Sequence, residues 1–138
     1  MGNNNSYQKI NFEDLQYGLN KSNYIIINTL KENEQNCLIS GTTPVGEEET
    51  IINHILNNMV NKNIIIYGKN SCDDLIYKKY EQLKKLGIVN VYLYCGGLFE
   101  WLLLQDIYGC ELFPTTSVEK DLLRFKGSNI INLKFIEN

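Results

Sequence analysis

Arginine is nearly missing from this chain: one of its 13 basic residues is Arg, and the formal net charge is −3. Nucleic-acid binders usually carry a basic stripe, so that function class is excluded. Histidine is equally scarce, with His54 alone. The four cysteines, Cys37, Cys72, Cys95 and Cys110, form no C-x-x-C pair. Paired ligand spacing for zinc is therefore absent, and no metal site is expected. No secretory signal precedes the cysteines, which argues for free thiols in an intracellular protein rather than a disulfide framework. No apolar run approaches the ~20 residues of a membrane-spanning helix.

What the chain does have is enough apolar material for one core. Its 138 residues are 43% hydrophobic and 21% charged, the profile of a single ordinary domain. Two β-branched runs, Tyr24-Ile25-Ile26-Ile27 and Ile64-Ile65-Ile66-Tyr67, read as strands buried on both faces, as in parallel sheets. Val91-Tyr92-Leu93-Tyr94 reads as a third, and a short strand is expected around Cys37-Leu38-Ile39. Between them lie helical patterns. One carries Ile51, Ile52, Ile55, Leu56 and Met59 on its apolar face, with His54 at its surface or boundary. The other carries Leu75, Ile76, Tyr80, Leu83 and Leu86, and Gly87 closes it. Glu47-Glu48-Glu49 opens the first of these helices, where acidic residues complement the dipole. Shorter helices are expected over Phe12–Leu19, Leu98–Leu104 (Trp101 and Leu102 inward) and Asp121–Phe125. Strands alternating with helices predict an α/β fold: a single parallel-sheet domain with helices on both faces.

The first six residues, Met-Gly-Asn-Asn-Asn-Ser, fit the N-myristoylation pattern M-G-x-x-x-[ST], with Gly2 as acceptor. The same residues also read as a polar, disordered leader, so residues 1–10 are expected to be flexible and 11–138 to form the domain. One myristoyl chain binds membranes marginally, on the order of 10⁴ M⁻¹. No second anchoring signal stands in the sequence, because Lys9 and Lys21 make no polybasic run and no cysteine precedes Cys37. The expected location is cytoplasmic, with reversible association at the cytosolic membrane face.

In an open α/β sheet a ligand sits beyond the carboxyl ends of the strands. The candidate loop is Gly68-Lys69-Asn70-Ser71-Cys72-Asp73-Asp74, between the Ile64–Tyr67 strand and the next helix. Backbone N–H groups at a helix N-terminus suit an anion, and Lys69 adds a point charge. Ser71 and Asp74 match a capping box, which accounts structurally for part of the composition.

The order of these elements, Leu83–Gly87 (L-x-x-x-G) and Gly96-Gly97-Leu98-Phe99-Glu100-Trp101 (G-G-x-x-x-W) resemble a rhodanese-like (sulfurtransferase) domain over roughly residues 12–101. Cys37–Thr42 is similar to that family's H-I-x-G-A segment with His and Ala replaced, and Ile27-Asn28-Thr29 stands where the family often has Ile-Asp-Val-Arg. The resemblance implies a sulfur-carrying cysteine directly after the buried strand. Gly68 occupies that position, so the usual persulfide mechanism cannot run there. Cys72, at the helix start, is the candidate for a displaced nucleophile: the helix dipole and Lys69 favour its thiolate, whereas Asp73 and Asp74 oppose it. The related phosphatase loop C-x5-R also fails, since Lys78 stands where arginine is needed and Arg124 is remote.

The reading is a rhodanese-like module without cofactor, binding a small anion or a protein partner through Gly68–Asp74. The alternative is a sulfurtransferase that carries persulfide on Cys72. A scaffold with no ligand in the loop is the third reading.

Overall fold

A computed structural model describes residues 6–131. Four parallel strands form one sheet in the order β1-β4-β3-β2, where β1 is Lys9–Ile10, β2 Tyr24–Asn28, β3 Asn63–Tyr67 and β4 Val91–Tyr94. Ile65 of central β3 pairs with Ile26 on one side and with Tyr92 on the other. The helices are α1 (Phe12–Gly18), α2 (Val45–Asn58), α3 (Leu75–Leu86) and α4 (Gly97–Tyr108).

Period-two alternation sorts the strand residues into two cores. Ile64 and Ile66 of β3, with Ile27, Val91 and Leu93, pack against Ile52 and Ile55 of α2 and Ile76, Tyr80 and Leu83 of α3. Ile65 and Tyr67, with Ile26 and Tyr94, face α1 through Leu15 and α4 through Leu98, Trp101 and Leu102. The α/β expectation of helices on both faces therefore holds. Trp101 is fully buried, and its indole N–H donates to the Pro114 carbonyl at 3.1 Å, so burying the ring leaves its polar atom satisfied. Phe113 packs edge-on to it at 5.0 Å. Gly87 closes α3 in the left-handed conformation (φ 105°) that the sequence assigned to it.

Three local expectations are corrected. Residues 1–10 are not all leader: Lys9–Ile10 add an edge strand to β4, which a two-residue strand with one apolar side chain does not announce in sequence. Cys37–Ile39 is not a strand of the sheet. It lies against residues 114–117, where Ile39 makes an isolated bridge to Thr115. The ladder stops there because Leu38 N–H donates to the Thr116 side chain and Pro114 has no N–H to offer. Asp121–Phe125 forms successive turns instead of a helix: the Asp121 carboxylate accepts the Leu123 N–H, a local bond that competes with helical pairing. His54 is exposed, as expected. Gly2 and the last seven residues, 132–138, lie outside the described residues. Among the described residues no helix is long and apolar enough to cross a membrane.

Candidate functional site

Beyond the carboxyl end of β3 the chain is anchored by Tyr67. Its buried hydroxyl accepts the Ile39 N–H at 3.2 Å and lies 2.8 Å from the Thr42 hydroxyl. Burial pushes the phenol far above its ordinary range, so it stays neutral.

The next seven residues fold back on themselves. Asp73 turns inward: one carboxylate oxygen accepts the Lys69 N–H at 3.0 Å and the Thr29 hydroxyl at 3.2 Å. The other accepts the Leu75 N–H at 2.9 Å. A Cβ placed on Gly68 would come within 2.9 Å of the Asp73 carboxyl carbon and 3.0 Å of Ile76 Cγ2. The carboxylate thus fills the space in which a side chain at position 68 would have to stand. Asn70 is buried, its amide donating to the Phe125 carbonyl at 2.9 Å and its oxygen accepting the Cys72 N–H at 2.9 Å. The expected Ser71–Asp74 capping box does not form. Asp74, not Ser71, stands at the N-cap of α3 and makes no side-chain bond there, so Ser71 lies ahead of the helix start and has no first turn to cap.

The glycine pair before α4 closes the loop from the other side. Gly97 (φ 71°) approaches so closely that a Cβ there would lie 2.8 Å from both Asn70 N and Gly68 O. Leu98 N–H and Phe99 N–H, at the start of α4, donate to the Gly68 and Lys69 carbonyls at 2.9 and 3.0 Å. The amino end of α4 therefore serves the loop itself.

Lys69 is not a free point charge, since its ammonium pairs with Glu34 at 3.0 Å. Burial raises the Glu34 carboxyl, but the Lys69 ammonium and the Lys31 N–H outweigh it and hold the pKa below the ordinary value of 4.5. A cleft of 360 Å³ lies over this face of the loop. Of the sequence-based site it gathers Lys69, Asn70, Cys72 and Asp73, and Gly68 lies behind Asp73. Ser71 and Asp74 are exposed outside it. Sequence reasoning missed Thr29, Lys31 and Glu34 after β2, and Lys126 and Ser128 from the C-terminal segment. The rule that ligands gather past strand carboxyl ends points to the first three. Nothing in the sequence marks the last two.

Cys72 is exposed on the cleft wall, and its sulfur would lie 3.5 Å from a Cβ built on Gly127. Cys95, at the end of β4, is half-buried and 3.9 Å from the Tyr77 hydroxyl. Cys37 is buried and Cys110 exposed. Among the described residues no cluster of three His, Cys, Asp or Glu side chains could hold a metal ion.

A parallel four-stranded sheet covered on both faces, with a strand-loop-helix beside a G-G-x-x-x-W segment, is the rhodanese-like fold, and this chain has it. Its resemblance to solved structures agrees. The rhodanese-like domain of the Alr3790 protein from Anabaena superposes with a TM-score of 0.55 at 18% identity, over 91% of this chain and 89% of that one. A crystal structure of the Alr3790 protein gives 0.53 at 18% identity, over 79% and 92%. The As–Sb reductase of Leishmania major gives 0.52 at 18% identity, over 75% and 79%. No family model matches the sequence, and no curated protein does.

Proposed function

We propose that this chain is a rhodanese-like module that has given up persulfide chemistry and binds a partner at the cleft beside Gly68–Asp74. One observation carries the reading: the Asp73 carboxylate stands where a nucleophile at position 68 would stand, and it holds the Lys69 N–H of the loop and the Leu75 N–H at the start of α3. The loop supplies its own anion. A small anion or an acidic group of a protein partner therefore meets the exposed Lys31 and Lys126 at the rim rather than the backbone cradle, so its binding weakens steeply with salt. The module works in the cytoplasm, at the membrane face when Gly2 is myristoylated.

Thiosulfate-to-cyanide transfer by the purified chain is expected at background, and Cys72→Ser is expected to change nothing. The second reading, a sulfurtransferase carrying persulfide on Cys72, draws on the exposure of that thiol in the same cleft. Turnover that Cys72→Ser abolishes would establish it and overturn the module. The acyl group is tested by co-expression with an N-myristoyltransferase: intact mass should rise by one myristoyl group, and Gly2→Ala should prevent it.

A further inference from the structure

Although the sequence shows no polybasic run, folding assembles a basic surface beside the N-terminal segment. All the strands are parallel, so the residues ahead of β1 emerge at the sheet end where α2 and α3 finish. Ser6, Tyr7 and Gln8 share a groove there with Lys84 and Lys85. Tyr7 fixes this exit: its hydroxyl donates to the Glu81 carboxylate at 2.6 Å, and its ring packs edge-on to Tyr77 at 4.8 Å and Tyr80 at 5.1 Å. Lys84 and Lys85 are both exposed, and the Lys84 ammonium donates to the Val89 carbonyl at 2.7 Å, which brings it beside that residue. Apolar side chains stand out beside them: Leu86 is 51% exposed, Val89 73% and Met59 90%, the last two along one groove. One carboxylate, Glu81, shares the lysine groove and accepts the Tyr7 hydroxyl, whereas Glu34, Asp73 and Asp74 lie at the opposite end, around the candidate loop. A chain of net charge −3 thus presents a lysine-rich, partly apolar end.

We propose that this amino end of the sheet is a docking surface for an anionic lipid bilayer. Lysine stems flanking exposed Leu, Val and Met suit the headgroup boundary, where ammonium groups meet anionic lipid and the apolar side chains enter the interface. The inference rests on the Gly2 reading for its other half, because a single acyl chain holds only marginally and a basic patch is the kind of second signal that makes attachment stable. Bound in this way, the Gly68–Asp74 loop faces away from the membrane.

The test uses the myristoylated full chain, verified by intact mass, with vesicles of phosphatidylcholine alone or with added phosphatidylserine. Each lysine near an anionic surface is worth about fivefold in affinity. Lys84→Gln with Lys85→Gln should therefore weaken binding to phosphatidylserine vesicles about 25-fold and leave neutral vesicles unaffected. The Lys84→Arg, Lys85→Arg pair should bind like the parent, and a thermal melt verifies that each variant folds. Equal binding to the two vesicle types, or a Gln pair indistinguishable from the parent, overturns the docking surface. A chain that takes up no myristate overturns the Gly2 reading instead. Chemical ligation of a myristoylated N-terminal peptide then supplies the anchor, and the same comparison decides the surface.

Discussion

Replacing Asp73 with alanine removes a carboxylate that holds the Lys69 N–H, the Leu75 N–H and the Thr29 hydroxyl. Losing the bond at the start of α3 costs about 1 kcal/mol, as for other side-chain caps. The charge-assisted bond to Lys69 N–H adds about 1.5 kcal/mol, the low end of its range, because the site is half-buried and water can enter. Thr29 can turn its hydroxyl to water at little cost. The sum is about 2–3 kcal/mol, or a fall in Tm of about 8–12 °C for a chain of this size. The same substitution exposes two backbone donors beside a helix start, which is the making of an anion site. Sulfate should then stabilise Asp73→Ala in excess of its general salting effect on the parent. At ten times its Kd it contributes about 1.4 kcal/mol, a recovery of about 6 °C. The assay is thermal unfolding of both proteins in sulfate and in chloride at matched ionic strength. If Asp73→Ala melts within about 2 °C of the parent, or if sulfate raises both equally, the carboxylate is not the loop's internal anion.

Gly68→Cys should cost about 1–3 kcal/mol in the parent, since its Cβ meets Asp73 and Ile76, and clearly less in the Asp73→Ala background, where only the 3.0 Å approach to Ile76 Cγ2 remains. A double-mutant cycle in denaturant measures this, and equal costs in both backgrounds would refute the shared space. Glu34 has a folded pKa below its unfolded value, so the ion pair with Lys69 contributes stability that is present above the ordinary 4.5 and lost as pH falls through the folded value. Lys69→Met should therefore be less stable than the parent by up to about 1 kcal/mol near neutral pH, with the gap closing in acid; denaturant midpoints at the two pH values check it. Trp101→Phe, which keeps an aromatic ring but loses the bond to the Pro114 carbonyl, should cost about 1–3 kcal/mol by chemical unfolding followed by circular dichroism.

The sheet was legible because isoleucine runs of the right length admit few other structures: β2, β3 and β4 stand within a residue of where Tyr24–Ile27, Ile64–Tyr67 and Val91–Tyr94 placed them. Helix α3 was legible from Ile76, Tyr80 and Leu83 of its apolar stripe, although Leu75 and Leu86 at its ends are exposed, and from Gly87, whose left-handed conformation few other residues adopt cheaply. Edge strand β1 was not, since one apolar side chain in two residues carries no period. At the candidate site, the loop's position followed from the strand-loop-helix order, and the want of a side chain directly after β3 was visible as Gly68. The inward turn of Asp73 did not. Adjacent Asp73 and Asp74 are chemically equivalent in sequence, and only the closure of the loop by Gly97 and Asn70 decides which one faces the amides.

The small volume in front of Gly68 has room for one claimant: a side chain at position 68 or the carboxylate at 73. Each crowds the other, so the effects of changes at the two positions are coupled. Moving between a loop with a side chain at 68 and the present one, by single substitutions, runs at least cost through an intermediate with neither. That intermediate has free amides and an empty cradle. Sterics therefore favour one order of changes: a substitution at position 68 costs least after Asp73 has been replaced. Libraries that randomise position 68 by itself sample a disfavoured corner, whereas libraries that vary 68 and 73 together can reach loops open to external ligands.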